Sequence, residues 1–139
     1  MLLHLDSPLK CIRYHWTLKY VFDDQIKEGK EILFIGKFIP VKEILKFYFS
    51  KFNAQRVDKK IKIKMLCDIE SKNIRKSIPL SEIRYLADWN SSTMSTYVYG
   101  NNVSLVIWDN EPVAILIRQK EVADGFKNYF NMLWNIAKK

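Results

Sequence analysis

Hydrophobic and polar positions follow two different periods along this chain, and the periods predict its elements. The stretch EILFIG at 31–36 is a short continuous apolar run ended by a glycine, which is typical of a buried strand. Apolar residues at helical spacing predict a helix over 8–28, with Ser7 as its cap. A second amphipathic stripe predicts a helix over 40–54.

The second half of the chain predicts a β-meander followed by a long helix. Turn-forming residues at 100–102 and 109–112 separate apolar runs that suit strands. The predicted strands of this half are 60–67, 82–87, 95–99, 103–108 and 113–118. The runs SLVIW and VAILI are apolar at consecutive positions, which a sheet with one wet face would not tolerate, so helices should cover both faces. Residues 122–137 supply the last of these helices.

These elements predict an α/β fold, a mixed β-sheet sandwiched between helices, in a single domain spanning 1–139. The 139 residues are 48% hydrophobic, which is enough for one core. No apolar stretch approaches the roughly 20 residues that span a bilayer, and the apolar run at the N-terminus is too short for a signal peptide. We therefore expect a cytoplasmic protein without a membrane partner, whose two cysteines stay reduced.

The net charge of +8 is concentrated in one segment. Eleven of the 23 basic residues lie between Lys42 and Lys76, and the stretch KKIKIK places Lys60, Lys62 and Lys64 opposite the apolar positions of a strand. Such alternation is typical of an edge strand that avoids unwanted pairing. The same three lysines are our candidates for a nucleic-acid contact, because lysine neutralises phosphate and releases counterions.

The residue pattern gives little support for a catalytic site or a metal site. His4, Cys11, His15 and Cys67 are potential zinc ligands, but structural zinc usually takes ligands in two close pairs and this set contains only one. Both histidines precede residue 16, and neither belongs to a recognisable nucleophile motif. The sequence predicts no metal, no cofactor and no enzymatic activity.

Four residues are candidates for binding a small molecule such as a sugar or an anion. Arg84 interrupts an otherwise apolar strand, so a partly buried guanidinium there needs either a carboxylate of the chain or an anionic or polar ligand. Trp89 lies among polar loop residues and is the best candidate for an exposed aromatic. Tyr99 and Asn101, on either side of the glycine turn, complete the set.

The predicted first helix carries more aromatic residues than one narrow stripe needs. Trp16 and Tyr20 therefore serve as candidates for a homodimer contact, in addition to any role in the core.

The pattern YGNNVSLVIW, the strand AILI and the closing F..LW..A resemble the effector domain of archaeal TrmB-like transcriptional regulators, which has a phospholipase D-like fold. Phospholipase D enzymes carry a His-x-Lys-x4-Asp motif, and the corresponding positions here are Ser92, Met94 and Tyr99. The resemblance therefore implies a catalytically degenerate member. The winged helix-turn-helix of such regulators is missing, so it implies DNA binding only through a missing or separate helix-turn-helix.

Three hypotheses follow. The leading one is a non-enzymatic sensing and dimerisation domain of a TrmB-like transcription regulator that responds to a small-molecule effector. The alternative is a basic nucleic-acid-binding accessory protein. Retained hydrolysis of phosphodiesters is the third hypothesis, and the missing motif argues against it.

Overall fold

The computed structural model describes residues 9–13, 16–36, 43–74, 77–87, 89, 93–108 and 112–139. These ranges contain seven strands, three α-helices and one 3₁₀ helix. In chain order they are β1 (Leu9–Arg13), α1 (Trp16–Glu28), β2 (Ile32–Gly36), α2 (Glu43–Asp58), β3 (Ile63–Asp68), the 3₁₀ helix (Ile69–Ile74), β4 (Ser81–Leu86), β5 (Met94–Tyr99), β6 (Asn102–Ile107), β7 (Val113–Arg118) and α3 (Lys120–Ile136).

The first strand corrects the predicted helix over 8–28. Residues Leu9–Arg13 form β1, which pairs antiparallel with β7 along its whole length, and α1 begins only at Trp16. The apolar spacing of this segment suits a helix locally. The pairing prevails because β7 would otherwise present a row of unpaired backbone groups. The predicted cap, Ser7, lies outside the described residues.

A single seven-stranded sheet has the order β1-β7-β6-β5-β2-β3-β4. Strands β2, β3 and β4 are parallel to one another, and the other neighbouring pairs are antiparallel. The three parallel strands therefore finish at one end of the sheet, the carboxyl end, where β5 starts. Their first residues lie at the opposite, amino end, beside the β5–β6 turn. The predicted mixed sheet is confirmed.

Helices cover both faces of the sheet, as the apolar strands predicted. Helices α1 and α2 pack on one face and α3 packs on the other. The α3 layer buries Leu33, Leu66, Leu86, Val98, Val103, Ala123, Phe130 and Trp134. In the described part of the chain, no helix is long and apolar enough to cross a membrane.

The lysine-rich strand is not the sheet edge that the sequence predicts. Strand β3 lies between β2 and β4, and β4 is the edge strand. Ile61, Ile63 and Met65 are buried, as the alternation predicted, but Lys60 belongs to the turn before the strand and has a φ of 58°. The alternation of side chains in β3 shows which residues face the α1–α2 core and which face the other side of the sheet. It does not show whether the strand lies at the edge or in the middle of the sheet.

Arg56 ties the end of α2 to the segments that lead into β3 and β4. Its fully buried guanidinium donates to the backbone oxygens of Ile61 at 2.9 Å and Pro79 at 2.7 Å. It also donates to Oδ1 of Asn53 at 3.0 and 3.2 Å. Desolvation lowers the pKa of Arg56. Because carbonyl dipoles surround this cation, it fixes the starts of the two strands that carry the basic residues considered next.

Candidate nucleic-acid interface

Five basic residues form a surface on β3, β4 and the segments beside them. We call Lys62, Lys64, Lys72, Arg84 and Lys139 the β3–β4 basic surface. Lys62 and Lys64 alternate with the buried Ile61 and Ile63, so they occupy the sheet face that α3 covers only with its final turns. Arg84 shares that face because it pairs with Leu66, two residues after Lys64.

The indole of Trp134 joins the two strands of this surface. The Arg84 guanidinium lies 4.4 Å from the ring centroid, and Nζ of Lys64 lies 5.7 Å from it. Nη1 of Arg84 also donates to the backbone oxygen of Trp134 at 2.9 Å. The acceptor of Arg84 is thus a carbonyl and an aromatic face, not the carboxylate that one reading of the sequence expected. Trp134 itself is buried, so it holds the cation in one orientation.

A cleft of about 340 Å³ opens along the edge strand β4. It is lined by Lys72, Glu82, Ile83, Arg84, Tyr85 and Lys139. Three of these residues are basic and one is acidic. The segment after α3 borders the cleft, because Tyr85 and Lys138 exchange two backbone hydrogen bonds of 2.6 and 2.9 Å.

In the described part of the chain, no acidic side chain lies within 4.0 Å of any of the five cations of this surface. Three basic residues elsewhere do have such a partner. Arg118 binds Asp24 at 2.8 Å, and Lys19 and Lys120 pair with the aspartates four residues after them. The β3–β4 basic surface therefore keeps its positive potential for an external anion.

Lys60 stands apart from Lys62 and Lys64. Its backbone N–H donates to the Val57 oxygen at 3.1 Å, and its left-handed conformation ends α2 where a glycine is usual. The exposed Lys60 therefore belongs to a turn and not to a face of the sheet. Of the three lysines predicted for nucleic acid, two share a face with Arg84 and one does not.

The four residues predicted for a small ligand do not come together. Arg84 is on the edge strand β4, and Trp89 packs against the α3 core near the carboxyl end of the sheet. Asn101 is exposed in the β5–β6 turn at the amino end. Tyr99 is fully buried on the α1 side, so its ring offers no surface to a ligand. Three strand positions separate β4 from β5, which precludes one site for all four.

A partly buried polar network at the amino end of the sheet was missed in the sequence. Asp24 receives hydrogen bonds from Arg118 at 2.8 and 3.2 Å and from the Tyr99 hydroxyl at 2.7 Å. Arg118 also donates to Asn102 at 3.2 Å. Desolvation raises the pKa of Tyr99, while hydrogen bonding to Asp24 raises the pKa of Arg118. The only sequence signal was an arginine closing an apolar strand, and its partner is 94 residues away.

The positions that the resemblance matched to catalytic residues do not meet at one end of the sheet in the described structure. Met94 starts β5 at the carboxyl end of the sheet and is 41% exposed, whereas Tyr99 is buried at the other end of the same strand. Ser92 lies outside the described residues, as do His4 and His15. Burial raises the pKa of the Cys67 thiol to about 12, so this free cysteine is protonated. The described residues contain no cluster of three metal-ligating side chains.

Comparison with solved structures identifies other chains with this fold. Nuc from Salmonella typhimurium, a phospholipase D family member, matches with a TM-score of 0.68 and 14% identity over 94% of this chain and 95% of its own. TrmBL2, an archaeal chromatin protein with a novel mode of DNA binding, matches with a TM-score of 0.62 and 20% identity. That match covers 99% of this chain and 56% of TrmBL2. Phosphatidylserine synthase from Haemophilus influenzae matches with a TM-score of 0.67 and 11% identity over 94% of this chain and 37% of its own.

These matches show a phospholipase D-like α/β fold, as the resemblance implied. The chain spans a little over half of TrmBL2. No protein-family profile and no curated protein sequence matches it.

The comparisons correct the prediction that the chain is not an enzyme. Its fold neighbours include a phospholipase D family member and a phosphatidylserine synthase, so the fold does not support the predicted absence of enzymatic activity. The prediction rested on the lack of a recognisable nucleophile motif and on three positions aligned with the phospholipase D motif, and at 11–14% identity a motif cannot be aligned residue by residue from sequence alone.

Proposed function

We propose that this chain binds duplex DNA in the cytoplasm through its β3–β4 basic surface. The observation that carries the proposal is the set of five cations without a carboxylate within 4.0 Å among the described residues, two of which contact one buried indole. A contiguous unpaired positive surface attracts a polyanion, and each phosphate it neutralises releases counterions. Fixed cations lose less conformational entropy on binding than free ones do.

The DNA-binding chromatin protein among the fold neighbours supports this proposal. TrmBL2 aligns with nearly the whole chain, so the fold occurs in a protein that binds DNA. Direct contact by this chain follows the alternative hypothesis from the sequence, a basic nucleic-acid-binding accessory protein, and differs from what the resemblance implied, in which a missing or separate helix-turn-helix supplied the DNA contact. The β3–β4 basic surface needs no such element.

The test measures the affinity for a fluorescent DNA duplex as a function of salt concentration. If the five cations contact phosphates, the logarithm of the association constant should fall with the logarithm of the salt concentration with a slope of about −4.5. Replacing Lys62→Gln and Lys64→Gln together should reduce the magnitude of this slope by about two. The recovered DNA is run on a denaturing gel, which measures strand cleavage separately from binding.

The matched control replaces two paired lysines, Lys19→Gln and Lys120→Gln, which lower the net charge equally. This control should keep the wild-type slope. Equal losses in the two double variants would show that net charge alone drives binding and would refute this surface. No binding at about 50 mM salt would refute DNA binding itself.

Homodimerisation and effector sensing remain proposals from the sequence. Tyr20 is 44% exposed on α1, and its hydroxyl is one of the groups that raise the pKa of Arg118. The side chain of Trp16 lies outside the described part of the structure. Variant Tyr20→Glu should weaken a dimer that uses α1, and size-exclusion chromatography with light scattering measures it. A dimer that this variant leaves intact would refute α1 as the contact.

A further inference from the structure

Helix α3 exposes an apolar stripe to solvent. Tyr129, Met132 and Ile136 are 61%, 60% and 70% exposed, while Ala123, Phe130 and Trp134 are buried on the other side of the same helix. Spacings of three and four residues place the exposed three on one line along the helix. A continuous exposed apolar stripe commonly marks an interaction surface.

Gly125 extends this stripe, and nothing in the described chain requires a glycine at this position. It lies four residues before Tyr129 inside helix α3, where glycine costs about 1 kcal/mol relative to alanine. A Cβ at this position would meet nothing within 4 Å, and its φ is not positive. The helix thus presents a flat gap at one end of the stripe and a projecting isoleucine at the other.

The stripe is complementary to itself when two copies run antiparallel. Ile136 and Gly125 are equally far from the midpoint of the pair Tyr129 and Met132, so Ile136 of each copy faces the glycine gap of the other. The charges match in the same arrangement. The exposed Glu121 in the first turn approaches the partner's Lys138, whose backbone is fixed by its pairing with β4.

We propose that this stripe is a two-fold symmetric contact between two copies of the chain. A self-complementary patch is what such symmetry requires. The helix is about 25 Å long, and one face of it is smaller than the roughly 800 Å² per partner of a standard interface. The dimer should therefore dissociate in the micromolar range. The contact uses none of the five residues of the β3–β4 basic surface and is independent of DNA binding.

Sedimentation velocity from about 1 to about 200 µM tests the contact, since that range brackets a micromolar dissociation constant. The wild-type chain should pass from monomer to dimer, and Ile136→Glu should shift the midpoint at least about tenfold, because a charge would replace the apolar side chain that enters the partner's glycine gap. Phe47→Glu is the matched control, because Phe47 is 68% exposed on α2, on the other face of the sheet. It should leave the midpoint unchanged.

Substitution of the glycine separates an interface from simple helix propensity. Gly125→Ala and Gly125→Leu should both raise the melting temperature of the monomer, because both favour the helix and neither side chain meets an obstacle at Cβ. Only leucine fills the gap that the partner's Ile136 enters, so only Gly125→Leu should also weaken the dimer about tenfold or more. Wild-type protein that stays monomeric throughout refutes the proposal. So does a dimer that Ile136→Glu and Gly125→Leu leave intact, or one that Phe47→Glu weakens equally.

Discussion

Gln25 offers a direct test of how this core is built. It lies on α1 three and four residues after Phe22 and Val21, so it faces the sheet, and its exposure is 0%. Neither its amide nitrogen nor its amide oxygen has a hydrogen-bond partner in the described structure. Burying an unsatisfied amide costs about 1–3 kcal/mol.

The perturbation is Gln25→Met, which removes both polar atoms while keeping the length and flexibility of the side chain. Relief of the unsatisfied amide should raise the free energy of unfolding by about 1–2 kcal/mol. For a chain of this size that corresponds to a rise in melting temperature of about 4 °C per kcal/mol. Urea denaturation and thermal melting followed by circular dichroism both measure it.

Gln55→Met is the control, because Gln55 lies on α2 and is only partly buried. It should change the free energy of unfolding by less than about 0.5 kcal/mol. If Gln25→Met destabilises the protein by about 1 kcal/mol or more, the amide has partners in solution and the reasoning from an unsatisfied group fails.

Three other substitutions test separate features by urea denaturation. Arg56→Met should cost about 3 kcal/mol or more, because the backbone oxygens of the buried Ile61 and of Pro79 both lose their donor; a loss below about 1 kcal/mol would contradict it. Lys60→Gly should stabilise by about 0.5–1 kcal/mol at its left-handed position, whereas Lys59→Gly should not, and equal effects would refute backbone strain as the cause. The folded pKa of Cys67 is raised above its ordinary value, so stability should fall as pH rises above about 9, by up to about 1.4 kcal/mol per unit until about 12. Cys67→Ala should remove that part of the pH dependence, and an unchanged slope would contradict the assignment.

The elements that could be predicted from the sequence are those specified by near neighbours. Strands β5, β6 and β7 and helix α3 matched their predicted ranges within a few residues, because glycine and asparagine at the first turn and the apolar periods are local signals. Strand β1 was missed because its partner, β7, follows about 100 residues later in the chain. No period within Leu9–Arg13 reports that pairing.

The polar residues of the core were harder to predict for the same reason. Arg56 and Gln25 lie in segments that look like solvent-facing helix, and only the tertiary packing shows that both are buried. Arg84 was correctly expected to need an acceptor, but the acceptor is a backbone oxygen 50 residues later. Sequence chemistry can state that a group needs a partner, whereas the fold decides which partner it meets.

The buried Arg56 helps to position the strands that carry the β3–β4 basic surface. Arg56 binds the carbonyls of Ile61 and Pro79, each two residues before the strand that follows it. Lys64 and Arg84 lie on these two strands, and Lys62 lies between Ile61 and β3. Loss of Arg56 should therefore reduce both stability and DNA affinity, because the two strand starts lose their common anchor. Loss of Lys62, which is exposed and makes no ion pair in the described structure, should reduce affinity and leave stability unchanged. Measuring both properties for both variants distinguishes a surface positioned by the core from one whose charge alone attracts DNA.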